Sequence, residues 1–255
     1  MIQSKLSKKR VLITAGAQGI GEAISQQLID AGAHVAIHYF SGRERAEELV
    51  AEAESRGLKA VAIQGDLTDP AQADHVVRLA AETLGGLDIL INNAGSLVGR
   101  KRLEELDVAF WDHVMGLNVT SMMSVTRAAD PYLSANPASA IVNLASLAGR
   151  KGGHPGSLAY ATAKGAVLTF TRAMATELGP KGVRVNAVTP GLILGTSFHN
   201  THTSKESADQ TIAGIPIARA GNPDDVARAV LFLASEYDGF ITGATLDING
   251  GVYSS

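Results

Sequence analysis

Short, near-continuously apolar runs alternate with longer amphipathic ones along most of the chain, and this rhythm constrains the fold more than any other feature. RVLITA (10–15) precedes IGEAISQQLIDAG, AHVAIHY (33–39) precedes RERAEELVAEAESRG, and KAVAIQG (59–65) precedes DPAQADHVVRLAAETLG. Runs apolar throughout predict strands covered on both faces, and the amphipathic segments predict the helices that cover them. The pattern continues through LDILINNAG (87–95), a long helical stretch from about Leu103 to Ala129, and SAIVNLAS (139–146). A helix from about Ser157 to Leu178 and GVRVNAVTP (182–190) follow. Asn222 as N-cap and Pro223 at the first helical position begin another helix, and ATLDING supplies a last strand. The expectation is α/β: a Rossmann-like doubly wound parallel sheet of about seven strands, flanked by helices. A length of 255 residues, with no repeat or linker, predicts a single domain over 1–255.

After Pro190 the rhythm breaks into a stretch rich in Gly, Thr, Ser and His. Loops this long inside compact domains are usually functional, so residues 192–217 are expected to form a substrate lid.

Composition removes several classes of function. With no cysteine there are no disulfides, thiolate zinc sites or cysteine nucleophiles, and no metal site is predicted. A net charge of −3, with Lys and Arg dispersed among acids, lacks the clustered positive charge of a nucleic-acid binder. VLITAGA, after the basic MIQSKLSKKR, is too short for a signal peptide's apolar region, and no run reaches membrane-spanning length. A soluble, cytoplasmic protein is expected, with neither nucleic acid nor membrane as partner.

Two local features carry chemistry. TAGAQGIG (14–21) joins the first strand to the first helix. Gly16, Gly19 and Gly21 allow the backbone close to a pyrophosphate, which helix N-terminal amides and the helix dipole favour. A tight turn needing positive φ accounts for the same glycines. Tyr160 and Lys164, in SLAYATAKGAV, lie four apart and so share a helix face. A phenol titrating near 10 is a poor base at neutral pH, and a nearby ammonium is expected to lower that value.

These residues carry a resemblance, over nearly the whole chain, to the single-domain short-chain dehydrogenases/reductases. TAGAQGIG matches the family's glycine turn, Asp66 in GDLTD its adenine-side acid, and Asn92 to Gly95 its NNAG segment. Asn118 in LNVTS and Ser146 in IVNLASLAG match active-site positions, Tyr160 and Lys164 the YxxxK pair, and Pro190 and Gly191 the PG turn. The resemblance implies hydride transfer between a nicotinamide cofactor and a carbonyl or alcohol, with Asn118, Ser146, Tyr160 and Lys164 catalytic. Tyr160 would exchange the proton and Ser146 would stabilise the developing charge. Lys164 would also hold the nicotinamide ribose, and Asn118 would support a water linking Lys164 to solvent. A regulatory dinucleotide-binding protein without turnover need not keep all four.

The resemblance places the cofactor against Thr14, Gly16, Gln18, Gly19, Ile20 and Gly21. It continues along Asp66 and Leu67, then Asn93, Ala94 and Gly95, then Tyr160 and Lys164, and finally Pro190, Gly191, Ile193 and Thr196. Asp69 is expected to cap its helix, leaving Asp66 free. Two positions depart from the pattern. Ala15 stands at the first glycine, acceptable where φ is negative. Gly195 stands where the family often has threonine, with Thr196 one residue beyond.

The second strand ends HYFSGRER, with Ser41 and Arg43 in place of an acid. An acid there would bind the ribose hydroxyl of NAD, so NADP(H) is expected over NAD(H), as in the similar pteridine reductases. A helix-capping Ser41 and a solvated Arg43 remain the alternative.

The lid's Thr, Asn and His side chains suit a small polar carbonyl or alcohol, such as a sugar or sugar acid, and the lid resembles those of sugar-acid and uronate reductases. His199 and His202 either contact substrate or face solvent. Arg150, Lys151 and His154 either receive a carboxylate or phosphate or are solvated. The alternatives are an NAD-dependent polyol or sugar dehydrogenase and a 3-oxoacyl-thioester reductase, for whose acidic carrier KLSKKR and GRKR are candidate docking patches. The resemblance of the long helices to those of the family's dimer interface implies a homotetramer.

Overall fold

The computed structural model describes residues 5–196, 205–235 and 239–254. Three βα units come first: β1 (Arg10–Ile13), α1 (Gly19–Asp30), β2 (His34–Tyr39), α2 (Arg43–Ser55), β3 (Ala60–Gln64) and α3 (Pro70–Leu84). β4 (Ile89–Asn92) leads to α4 (Val108–Met115) and α5 (Ser121–Ser134). β5 (Ser139–Leu144), a short α6 (Ala148–Lys151), α7 (Leu158–Leu178) and β6 (Val183–Pro190) follow. The described chain closes with α8 (Lys205–Ala213), α9 (Pro223–Ala234) and β7 (Thr245–Ile248).

Among the described residues seven strands form one parallel sheet, in the order β3-β2-β1-β4-β5-β6-β7. The winding reverses between β1 and β4, which opens a crevice at their carboxyl ends, where open α/β sheets bind ligands. Alternate side chains feed two cores, one on each face. Val11, Ile13, Val35 and Ile37 meet α1 and α9, whereas Leu12, Ala36, Leu90 and Ile141 meet α3, α5 and α7. Burial on both faces explains why the strands read as continuous apolar runs. Among the described residues, no helix is long and apolar enough to cross a membrane.

Helix starts follow their caps. Asp69 accepts from the Ala71 amide ahead of Pro70, and Asn222 forms a reciprocal capping box with Asp225 ahead of Pro223. The expected single helix from Leu103 to Ala129 is instead interrupted. A 3-10 turn (Leu103–Glu105) comes first, Asp107 caps α4 by accepting from Phe110, and a π turn (Gly116–Thr120) joins α4 to α5. The π turn has a local cause: Asn118 Nδ2 donates to the Val114 carbonyl at 2.9 Å and to the Ser96 carbonyl at 2.8 Å. Within the expected lid, α8 is helical, and residues 197–204, including His199 and His202, lie outside the described residues.

Candidate active site

The β1–α1 turn is braced from both neighbouring strands. Thr14 Oγ1 accepts the amides of Asn93 and Ala94 at 2.9 and 3.0 Å, and Asn93 Nδ2 donates to the carbonyls of Thr14 and Ala15 at 3.1 and 3.0 Å. Thr14 and the Asn93 side chain are thus committed to the turn itself. Gly21 lies so close beneath it that a Cβ there would sit 2.1 Å from the Ala15 carbonyl oxygen and 2.5 Å from Asn93 Nδ2. A Cβ on Gly16 would sit 2.9 Å from Ser25 Oγ. Gln18 occupies the N-cap of α1 and makes no side-chain cap hydrogen bond, so no side chain of the cap residue satisfies the first-turn amides.

Ala15 corrects the expectation of a negative φ. It sits at +50°, a left-handed conformation that costs a Cβ-bearing residue about 1–2 kcal/mol. Its amide donates to Nδ1 of the buried His38 at 3.0 Å. The sequence reading missed His38, and a histidine within the apolar part of β2, following Val35, Ala36 and Ile37, was the available signal.

At the β5 end, Ser146 Oγ accepts from the Ala148 amide at 3.1 Å and hydrogen-bonds to the Tyr160 hydroxyl. Tyr160 lies in the first turn of α7, and Lys164, one turn later, is buried with Nζ donating to the Leu144 carbonyl at 2.8 Å. The Lys164 ammonium stands 5.8 Å from the centre of the Tyr160 ring. Asn118 completes the group: a Cβ on Gly95 would lie 2.6 Å from Asn118 Oδ1 and 3.0 Å from Lys164 Nζ. Ser146, Tyr160, Lys164 and Asn118 therefore converge at the carboxyl ends of β4 and β5.

The ionisation of this group differs from the expectation. Burial pushes the Tyr160 phenol up to about 12, against a smaller downward pull from the Ser146 hydrogen bond. Burial also lowers the Lys164 ammonium to about 8. Loss of solvation dominates both shifts: it favours the neutral phenol and weakens, without removing, the charge on Lys164 at neutral pH.

On the adenine side, Asp66 is not free: its Oδ1 accepts from the amide of Thr68 at 2.9 Å and from its hydroxyl at 2.6 Å. Leu67 beside it is buried. Ser41 is exposed and does not cap α2; Gly42, in a left-handed conformation, takes that place. Arg43 begins α2, with long contacts to Gln64 (3.4 Å) and Glu47 (3.5 Å).

The PG turn packs on the β7 end, where a Cβ on Gly191 would lie 3.0 Å from Asn249 Cα. Ile193 is buried and forms a parallel bridge with Gly221. Thr196 is buried and covers the glycine turn, its Cγ2 3.4 Å from where a Cβ on Gly19 would stand. Ile20 lies in the first turn of α1, Ala94 just beyond β4, and Pro190 ends β6. Arg150 is part-buried rather than solvated. Its guanidinium pairs with Asp247 on β7 at 3.3 Å and lies 5.6 Å over the Tyr253 ring, and Asp247 also accepts from Thr189 Oγ1. Lys151 and His154 are exposed.

Comparison with known proteins agrees with this fold. A family model described as enoyl-(acyl carrier protein) reductase matches residues 14–253. The chain is 35% identical over 249 residues to a 3-oxoacyl-(acyl-carrier-protein) reductase FabG of Staphylococcus aureus strain Mu50, covering 96% of this chain and 98% of the relative. It is 36% identical over 255 residues to a 2-(S)-hydroxypropyl-CoM dehydrogenase 3 of Xanthobacter autotrophicus, covering 98% and 99%. A short-chain dehydrogenase from Burkholderia cenocepacia J2315, solved in complex with NADP, superposes with a TM-score of 0.91 at 35% identity, over 98% of this chain and 100% of that one. An NADH-dependent reductase A1-R′, responsible for alginate metabolism, superposes with a TM-score of 0.90 at 33% identity, over 99% and 100%. The chain belongs to the short-chain dehydrogenase/reductase family of nicotinamide-dinucleotide oxidoreductases.

Proposed function

We propose that the chain is an NADP(H)-linked oxidoreductase that interconverts a small polar ketone or aldehyde and its alcohol, with Tyr160 as the acid/base. The observation that carries this reading is the convergence of Ser146, Tyr160, Lys164 and Asn118 beside a turn in which Gly16 and Gly21 have no room for a Cβ. The turn fits a dinucleotide: close-packed glycines admit backbone near a pyrophosphate, and the start of α1, without a side-chain cap, leaves first-turn amides for it.

A bound nicotinamide supplies hydride to the carbonyl carbon or takes it up from the carbinol. The chain's own residues manage the proton. Tyr160, kept neutral by burial, donates to the substrate oxygen as alkoxide character develops, and accepts the proton back in oxidation. Ser146, already bonded to the phenol, stabilises charge on the same oxygen. Lys164, held by Leu144 and close to Asn118, would hold the nicotinamide ribose, with Asn118 supporting a water that links Lys164 to solvent.

Preference for NADP(H) rests on Ser41 and Arg43 at the β2 end, where no acid stands and where Gly42 relieves Ser41 of capping. Initial rates with NADPH and NADH test it; equal or better use of NADH overturns the preference. Residues 192–217 are the proposed lid, and its polar side chains favour a sugar or sugar-acid substrate, the class nearest to the alginate-related neighbour. The S. aureus relatives favour a second reading, a 3-oxoacyl-thioester reductase whose carrier would meet Arg100, Lys101 and Arg102. This basic run adjoins the loop near the active site, with the Lys101 amide donating to Gly156 at 2.9 Å. Screening ketones, sugar acids and acyl thioesters for NADPH oxidation separates the two. A homotetramer would cover the exposed Val108, Met123 and Leu158 on α4, α5 and α7, and sedimentation tests it.

A further inference from the structure

His38 is buried near the end of β2, directly beneath the glycine turn. The Ala15 amide donates to its Nδ1 at 3.0 Å, and its Nε2 lies 3.0 Å from the Gly65 carbonyl oxygen. An amide donates and a carbonyl accepts, so one form of the ring satisfies both contacts: neutral, with the proton on Nε2. The imidazolium has no lone pair for Ala15, and the other tautomer meets an N–H with an N–H. Burial lowers the His38 pKa, with the Gly65 hydrogen bond and the charge of Asp66 acting in the opposite direction.

This ring joins two loops. One is the turn assigned to the cofactor phosphates, and the other is the β3–α3 connection that carries Asp66 and Leu67. The first needs support, because Ala15 holds a left-handed φ of +50° that alanine does not favour. Ala15 is gripped on its N–H by His38 from β2 and on its carbonyl by Asn93 from beyond β4, fixing the peptides on both sides of its Cα. The next amide, Gly16, donates to the His38 carbonyl at 2.9 Å. Both neighbours of β1 thus clamp a turn whose own residue type does not impose its shape.

We infer that His38 is a positioning residue for dinucleotide binding, holding Ala15 in its left-handed conformation and fixing the phosphate turn against the adenine-side loop. The inference rests on the cofactor reading above. It makes the clamp a substitute for glycine at position 15, so the two positions must be energetically coupled.

The test is NADPH titration, followed by fluorescence, of the wild type, His38→Leu, Ala15→Gly and the double variant. His38→Leu removes both ring hydrogen bonds and is expected to raise the Kd and KM for the dinucleotide at least about tenfold, the part of that loss that falls on the phosphate turn being about the effect of one buried hydrogen bond, with kcat at saturating cofactor changed less than about twofold. Adding Ala15→Gly is expected to return the Kd to within about threefold of the Ala15→Gly single variant. A His38→Leu protein that binds like the wild type, or an equal loss in both backgrounds, overturns the inference. Should His38→Leu fail to fold, His38→Asn, too short to span both loops, carries the same comparison. Ring nitrogen shifts of His38 in the wild type give an independent readout. An Nε2–H tautomer at neutral pH is expected, and an Nδ1–H tautomer or an imidazolium overturns the clamp. A wild type that binds neither NADPH nor NADH defeats the cofactor reading as well, whereas the variant outcomes defeat this inference alone.

Discussion

The Lys164 ammonium donates to the Leu144 carbonyl at 2.8 Å, tying the helix that carries Tyr160 to the end of β5. Ser146 follows the same strand by two residues, so one anchored lysine sets the relation between the phenol and the serine hydroxyl that meets it. The anchor is a buried cation, and its desolvation is large enough to be read in the protein's stability.

Lys164 titrates at about 8 in the folded chain, below its ordinary 10.5, because burial disfavours the charged form. Between those values the unfolded chain holds a proton that the folded chain has released, so stability rises with pH across the interval. Unfolding by urea at pH 8 and pH 10 should show the wild type gaining about 2 kcal/mol relative to Lys164→Met. A difference that stays flat contradicts the buried-cation account.

Gly21→Ala tests the close packing of the turn. Its Cβ would stand 2.1 Å from the Ala15 carbonyl oxygen, and backbone has to move to admit it. The expected outcome is a loss of about 1–3 kcal/mol in stability together with at least about a tenfold rise in the dinucleotide Kd. An alanine variant that binds NADPH like the wild type contradicts the cradle.

Arg150 lies between Asp247 and Tyr253, linking the segment after Ser146 to β7 and the C-terminal residues. Arg150→Ala should therefore lower stability by about 1–3 kcal/mol and shift KM for an acidic substrate and its neutral analogue together. A KM rise confined to the acid would show that the guanidinium meets substrate after all.

The strands were legible because a sheet covered on both faces needs apolar residues at every position, and sequence records that need directly. The order of motifs along the chain likewise located the glycine turn and the Ser146, Tyr160, Lys164 and Asn118 group. What escaped depends on partners distant in sequence. The left-handed Ala15 is set by His38 and Asn93, 23 and 78 residues away. The π turn within the Leu103–Ala129 stretch carries Asn118, which reaches back 22 residues to Ser96. Arg150 reads as an open basic group until Asp247, 97 residues on, is brought beside it. The direction of the Tyr160 shift was missed for a related reason: a lysine four residues away is visible in sequence, but the depth of burial that outweighs it is not.

Tyr160→Phe tests the central claim most directly, because it removes the exchangeable proton and keeps the ring. Single-turnover and steady-state rates of NADPH-linked reduction, measured beside the dinucleotide Kd, should show kcat falling by about 10²–10⁴ with the Kd changed less than about twofold. A phenylalanine variant that binds cofactor and turns over at the wild-type rate contradicts the assignment of Tyr160 as the proton donor.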